Sequence, residues 1–118
     1  MMLKRIYLAT YSLGTLDLAP QAVVNVSVGK LHNDQGIDFE SGEDDLNAYK
    51  AAYYELDNQV VALIHHTGEP QNSVSVYLDR SLGPKKVKKV VNTMVVELGI
   101  DQGLVGWIET EVLRDHAG

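Results

Sequence analysis

The chain has 118 residues, of which 45% are hydrophobic, and a net charge of −6 at pH 7. This length and composition are typical of a single domain, residues 1–118, that buries a hydrophobic core of its own. Because cysteine is absent, disulfide bonds, a thiol nucleophile and thiolate metal sites are excluded, and a reducing, cytoplasmic compartment is expected.

The N-terminal part of the chain has the alternating pattern of two strands. Residues 3–13 alternate between aliphatic or small side chains and tyrosines, which predicts the first strand. Residues 14–21 are expected to be a connection. The valines in residues 22–31 predict a second strand, because β-branched side chains favour extended backbone.

The middle of the chain is predicted to be a loop followed by a helix. Residues 32–42 are polar and contain two glycines, which is typical of an exposed loop. A helix is predicted at residues 43–57, with Ser41 as its N-cap and acidic residues in its first turn, where the helix dipole favours negative charge. Its apolar positions recur at three- and four-residue spacing: Leu46, Tyr49, Tyr53 and Leu56.

Three strands are predicted in the second half of the chain. Residues 59–66 are mostly apolar at consecutive positions, which indicates a strand covered on both faces. Residues 73–80 alternate between apolar and polar side chains, so these two strands form a plausible hairpin. The last strand is expected at residues 104–113.

The most regular amphipathic pattern lies in residues 83–99. Pro84 suits the first turn of a helix and Gly99 suits its C-terminal end. The buried face is predicted to contain Val87, Val90, Val91, Met94 and Leu98. Lysines fill the first two turns of the other face. Lys85 and Lys86 are candidates for an anion site at the helix N-terminus. The alternatives are a solvated face and pairing with the acidic residues 34–45.

These elements follow one another in the order β-β-α-β-β-α-β. Mostly antiparallel pairing lets both helices cover one face of a five-stranded sheet, so the predicted fold class is an α+β two-layer sandwich. Residues 22–113 alone have the order of the ferredoxin-like arrangement. In that arrangement the strand at 22–31 already has two neighbours, so either the first strand crosses to an edge or the sheet follows another order.

The sheet face away from the helices is predicted to be amphipathic and aromatic. Alternation places tyrosines, a tryptophan and small polar residues there, so this face differs from a fully solvated surface. Such faces are typical of contacts with a partner, a second subunit or a ligand. The candidate interface or ligand residues are Tyr7, Tyr11, Tyr77, Val105, Trp107 and Glu109.

The negative charge is concentrated in residues 34–45. The candidate docking residues for a basic partner are Asp34, Asp38, Glu40, Glu43, Asp44 and Asp45. The rest of the chain has ten acidic and ten basic residues, so this segment accounts for the whole net charge. A solvated loop and helix start would explain the same pattern. Nucleic acid is not expected as a partner, because its binding needs a basic face.

No catalytic residue, cofactor or metal site is assigned from the sequence. His65 and His66 are adjacent in a predicted strand, so their side chains point to opposite faces and cannot chelate one ion unless the pair lies past the end of the strand. The chain contains no glycine-rich phosphate loop, dinucleotide fingerprint or nucleophile elbow. It also lacks the ~20 consecutive apolar residues of a membrane span.

The favoured hypothesis is therefore a small interaction module that forms a homodimer through the open aromatic sheet face. One alternative is an acidic inhibitor that neutralises a basic partner protein through residues 34–45. Another is a small-ligand-binding protein or an enzyme with a pocket on the same sheet face, where Glu109, Tyr77 and a histidine would do acid–base chemistry.

Overall fold

The computed structural model describes residues 3–6, 17–43, 48–56 and 58–108. These residues form an α+β fold with one antiparallel seven-stranded sheet and two helices on one of its faces. The strands are β1 (Lys4–Ile6), β2 (Leu18–Val24), β3 (Glu40–Glu43), β4 (Ala48–Leu56), β5 (Gln59–His66), β6 (Val74–Asp79) and β7 (Val105–Ile108). The helices are α1 (Val28–Gln35) and α2 (Pro84–Glu97), and a 3₁₀ turn at Gln102–Leu104 precedes β7. The predicted two-layer class is confirmed, whereas the predicted count of five strands is wrong.

The sheet has the strand order β1-β4-β5-β6-β2-β7, with β3 also paired to β4. Strands β2, β5, β6 and β7, together with the two helices, keep the β-α-β-β-α-β order of the ferredoxin-like arrangement. The antiparallel pair β3–β4 is inserted between α1 and β5. β1 and β3 both pair with the same edge of β4, opposite residues 53–55 and 48–51 respectively. The first strand thus lies at the sheet edge, because the insertion supplies a neighbour for it there.

The predicted helix at 43–57 is wrong: residues 48–56 form β4, and Ser41 lies in β3 rather than at a helix N-cap. The spacing of Tyr49 and Tyr53 fits a strand as well, because four residues is also a multiple of the strand period. β4 pairs with β5 along eight residues and is buried on both faces near its centre. Pairing and burial together outweigh the helical preference of its alanines.

The first helix lies earlier in the chain than predicted. Strand β2 begins at Leu18, inside the predicted connection, and ends at Val24, after which α1 replaces the rest of the predicted strand. Ser27 caps this helix, because its Oγ accepts a hydrogen bond from the N–H of Lys30 at 3.0 Å. Gly36 ends it in the left-handed conformation with φ of 67°. The run of valines was therefore interpreted as a strand, although the sequence contains both cap residues of the helix, Ser27 and Gly36.

The hairpin and the helix predicted in the second half of the chain are confirmed, and the last strand is described as far as Ile108. β5 and β6 pair as a hairpin, and α2 begins at Pro84. The main core lies between the helices and the sheet; from α2 it contains Val87, Val90, Val91, Met94 and Val95. On the helix, Val95 is buried, whereas Leu98, predicted on the buried face, is only partly buried. Within the described ranges, neither helix has the length and apolar content needed to cross a bilayer.

Candidate functional site

The sheet face opposite the helices, here called the far face, carries a second apolar cluster. Its buried members are Ala51, Tyr53, Ala62 and Ile64, and half-buried Ile6, Tyr49 and Tyr77 pack against them. No residue of α1 or α2 belongs to this cluster. Strands β4 and β5 are therefore apolar on both faces. An antiparallel sheet with one solvated face needs apolar side chains on only the other face.

The predicted interface residues are divided between several places. Tyr77 lies on the far face. Val105 packs against the main core on the helix side instead, since it pairs with Val24, a core residue, and cross-strand partners share a face. The backbone of Trp107 pairs with Val23 in the β2–β7 ladder, which contains a register shift. Tyr7, Tyr11 and Glu109 lie outside the described residues.

Tyr77 stands at the centre of the ladder formed by β5, β6 and β2. Its cross-strand partners are Ala62 on β5 and Pro20 on β2, two small neighbours that leave room for its ring. Two residues further along β6, Asp79 accepts hydrogen bonds from the backbone N–H and the hydroxyl of Ser81, at 2.8 and 2.7 Å. These hydrogen bonds lower the pKa of Asp79, so an ionised carboxylate ends the strand beside the aromatic face.

A hydrogen-bonded aromatic group, here called the Tyr49 cluster, occupies the other side of the far face. It consists of Tyr49, Tyr53, His66 and Glu69. The rings of the cross-strand partners Tyr49 and His66 lie 5.6 Å apart at an angle of 59°. Glu69 Oε1 accepts the backbone N–H of His66 at 2.6 Å and lies 3.6 Å from its Nδ1. These contacts hold both rings in fixed positions.

Tyr53 is the buried member of this cluster, with 2% of its surface exposed. Burial raises the pKa of the Tyr53 phenol, and its hydrogen bond with Tyr49 and the nearby charge of Glu40 raise it further. The phenol therefore stays neutral at physiological pH. This cluster was not predicted as a site, because both tyrosines were assigned to the inner face of a helix.

A cavity of about 360 Å³ lies beside the Tyr49 cluster, at the end of the β3–β4 pair. Its lining includes Tyr49 and Gly42, together with the charged or polar side chains of Ser41, Glu43, Lys50 and Thr67. Lys50 Nζ donates a hydrogen bond to Ser41 Oγ at 2.9 Å. Ser41, Glu43 and Lys50 lie on the face opposite the Tyr49 ring, because Ser41 pairs with Lys50 whereas Gly42 pairs with Tyr49.

The two adjacent histidines lie on opposite faces. His66 contacts Tyr49 on the far face, whereas His65 lines a cavity of about 340 Å³ beside the N-terminus of α1, with Ser27 and Gln71. His65 Nδ1 lies 2.8 Å from the carbonyl oxygen of Ser73. Among the residues that the structure describes, no three His, Asp or Glu side chains are grouped so that they could hold one metal ion.

The acidic residues that the structure describes are divided between α1, the loop after it and β3. Asp34, on α1, pairs with Lys30 at 3.0 Å, and Asp38 lies 3.4 Å from His32 Nδ1. Glu40 and Glu43 lie in β3. Asp44 and Asp45 fall outside the described residues. Part of the predicted docking charge is thus already offset by local pairing.

Lys85 and Lys86, the candidate anion residues, are exposed in the first turn of α2. The N-cap, Gly83, supplies no side-chain hydrogen bond, and no acidic residue lies in this turn. Within the described part of the chain, neither lysine takes part in an ion pair. The lysines thus stand exposed at the positive end of the helix dipole.

No family model matches this chain, and neither a curated protein nor a solved structure matches it. Its class is that of a two-layer α+β fold with an additional apolar cluster on the sheet face opposite the helices.

Proposed function

We propose that this protein is a small interaction module that forms a homodimer through the far face of its sheet. The observation that supports this proposal is the second apolar cluster, on a face to which neither helix contributes a residue. The centre of this face is already buried within one chain, so the surface that would meet a second protein is its half-buried, largely aromatic margin.

Three half-buried residues would provide the contact: Ile6, Tyr49 and Tyr77. Aromatic side chains on a rigid sheet make efficient anchors, because they bury a large area and lose little conformational freedom on binding. In a two-fold symmetric dimer each residue is used twice, so a small patch on one protomer forms an interface of double the area.

The alternative of an acidic inhibitor has weaker support from the described residues. Asp34 and Asp38 already lie within ion-pair distance of Lys30 and His32, so a basic partner would have to compete with local pairs. Exposed acids of this kind contribute more to the rate of association than to affinity.

Sedimentation velocity over a concentration series in the micromolar range tests the proposal. We expect the wild-type chain to shift from monomer to dimer as its concentration rises. Tyr77→Lys should raise the dimer dissociation constant at least ~30-fold, because loss of a central aromatic anchor costs about 2 kcal/mol or more. The milder variant Tyr77→Ser should weaken the dimer in the same direction.

Thr93→Lys, on the outer side of α2, is the matched control and should leave the dissociation constant unchanged. Circular dichroism melting of each variant verifies that it is folded. A wild-type chain that remains monomeric at every concentration would contradict the proposal, as would equal weakening by Thr93→Lys and Tyr77→Lys.

A further inference from the structure

We draw no further inference here: the strongest candidate, the cavity of about 340 Å³ between His65 and the first turn of α1, would rest on a helix N-terminus alone, because its described lining residues are half-buried or exposed and none of them is a buried polar side chain that points to a ligand.

Discussion

The ring of Tyr49 covers the backbone of Gly42, its cross-strand partner in the β3–β4 ladder. A Cβ atom added to Gly42 would lie 2.6 Å from both Cζ and Oη of Tyr49, closer than two such atoms can approach. Glycine at this position therefore allows the tyrosine to lie flat across the strand, where it also meets His66. This pair of residues lies at the margin of the far-face cluster.

Replacing Gly42 by alanine should displace the Tyr49 ring and destabilise the chain by about 1–3 kcal/mol, the usual cost of overpacking. In a Tyr49→Ala background the same substitution should cost close to nothing, because the clash is gone. Urea unfolding of the two single variants and the double variant measures this coupling. Additive effects of the two substitutions would show that the ring does not lie over this glycine.

Two glycines test the position of α1. Gly29 lies inside the helix with open space at its Cβ position, so Gly29→Ala should stabilise the chain by about 0.5–1 kcal/mol. Gly36 has φ of 67°, so Gly36→Ala should destabilise it by about 1–2 kcal/mol. Thermal unfolding of both variants checks the opposite signs. If residues 28–35 formed a strand, alanine at Gly29 would have no such helical benefit.

Met94 and Val96 test the orientation of α2. Met94 is fully buried in the main core, whereas Val96 is 61% exposed. Met94→Ala should lower the free energy of unfolding by about 2–5 kcal/mol, because it leaves a cavity under the helix. Val96→Ala should change it by less than about 0.5 kcal/mol. Chemical denaturation of the two variants measures the difference, and similar losses would contradict this orientation of the helix.

Tyr53 should make the fold sensitive to alkaline pH. Burial raises the pKa of its phenol above the ordinary value of 10.0, so above pH 10 the folded chain retains a proton that the unfolded chain releases. The free energy of unfolding should therefore fall as pH rises through that value. In Tyr53→Phe this part of the decline should be absent.

Urea unfolding at neutral pH and on either side of pH 10 measures the effect for the wild-type chain and for Tyr53→Phe. An ultraviolet titration of phenolate absorbance provides the control, since the variant should lose one late-titrating tyrosine. Identical alkaline slopes for the two proteins would show that Tyr53 is ionised as easily in the folded chain as in the unfolded one.

The candidate site was only partly visible in the sequence, and the reason differs from residue to residue. Tyr77 was placed on the far face because its strand alternates cleanly, and alternation fixes the face of every residue in an unbroken strand. Val105 was assigned to the wrong face because β7 pairs with β2 through a register shift, which no local pattern reveals. Tyr49 and Tyr53 were assigned to a helix, since a spacing of four residues fits both the helical period and the strand period.

The lining of the cavity could not be predicted from the sequence, because it depends on the register between two strands. Glu43 and Lys50 are seven positions apart in the chain, and the register of the β3–β4 ladder makes them diagonal neighbours. Likewise, Gly42 lies in β3 and lacks the positive φ of Gly36, Gly68 and Gly99. Its role follows from the aromatic ring packed against it.

Local patterns determined the α+β class, the β5–β6 hairpin and the whole of α2, because each element has a single period and cap or turn residues at its ends. Tertiary structure decided the rest. Residues 48–56 became a strand because β5 offered a continuous pairing edge and apolar layers on both sides. The first strand lies at the sheet edge because the inserted β3–β4 pair provides a neighbour there. In residues 48–56, long-range backbone pairing outweighs the local helix propensity.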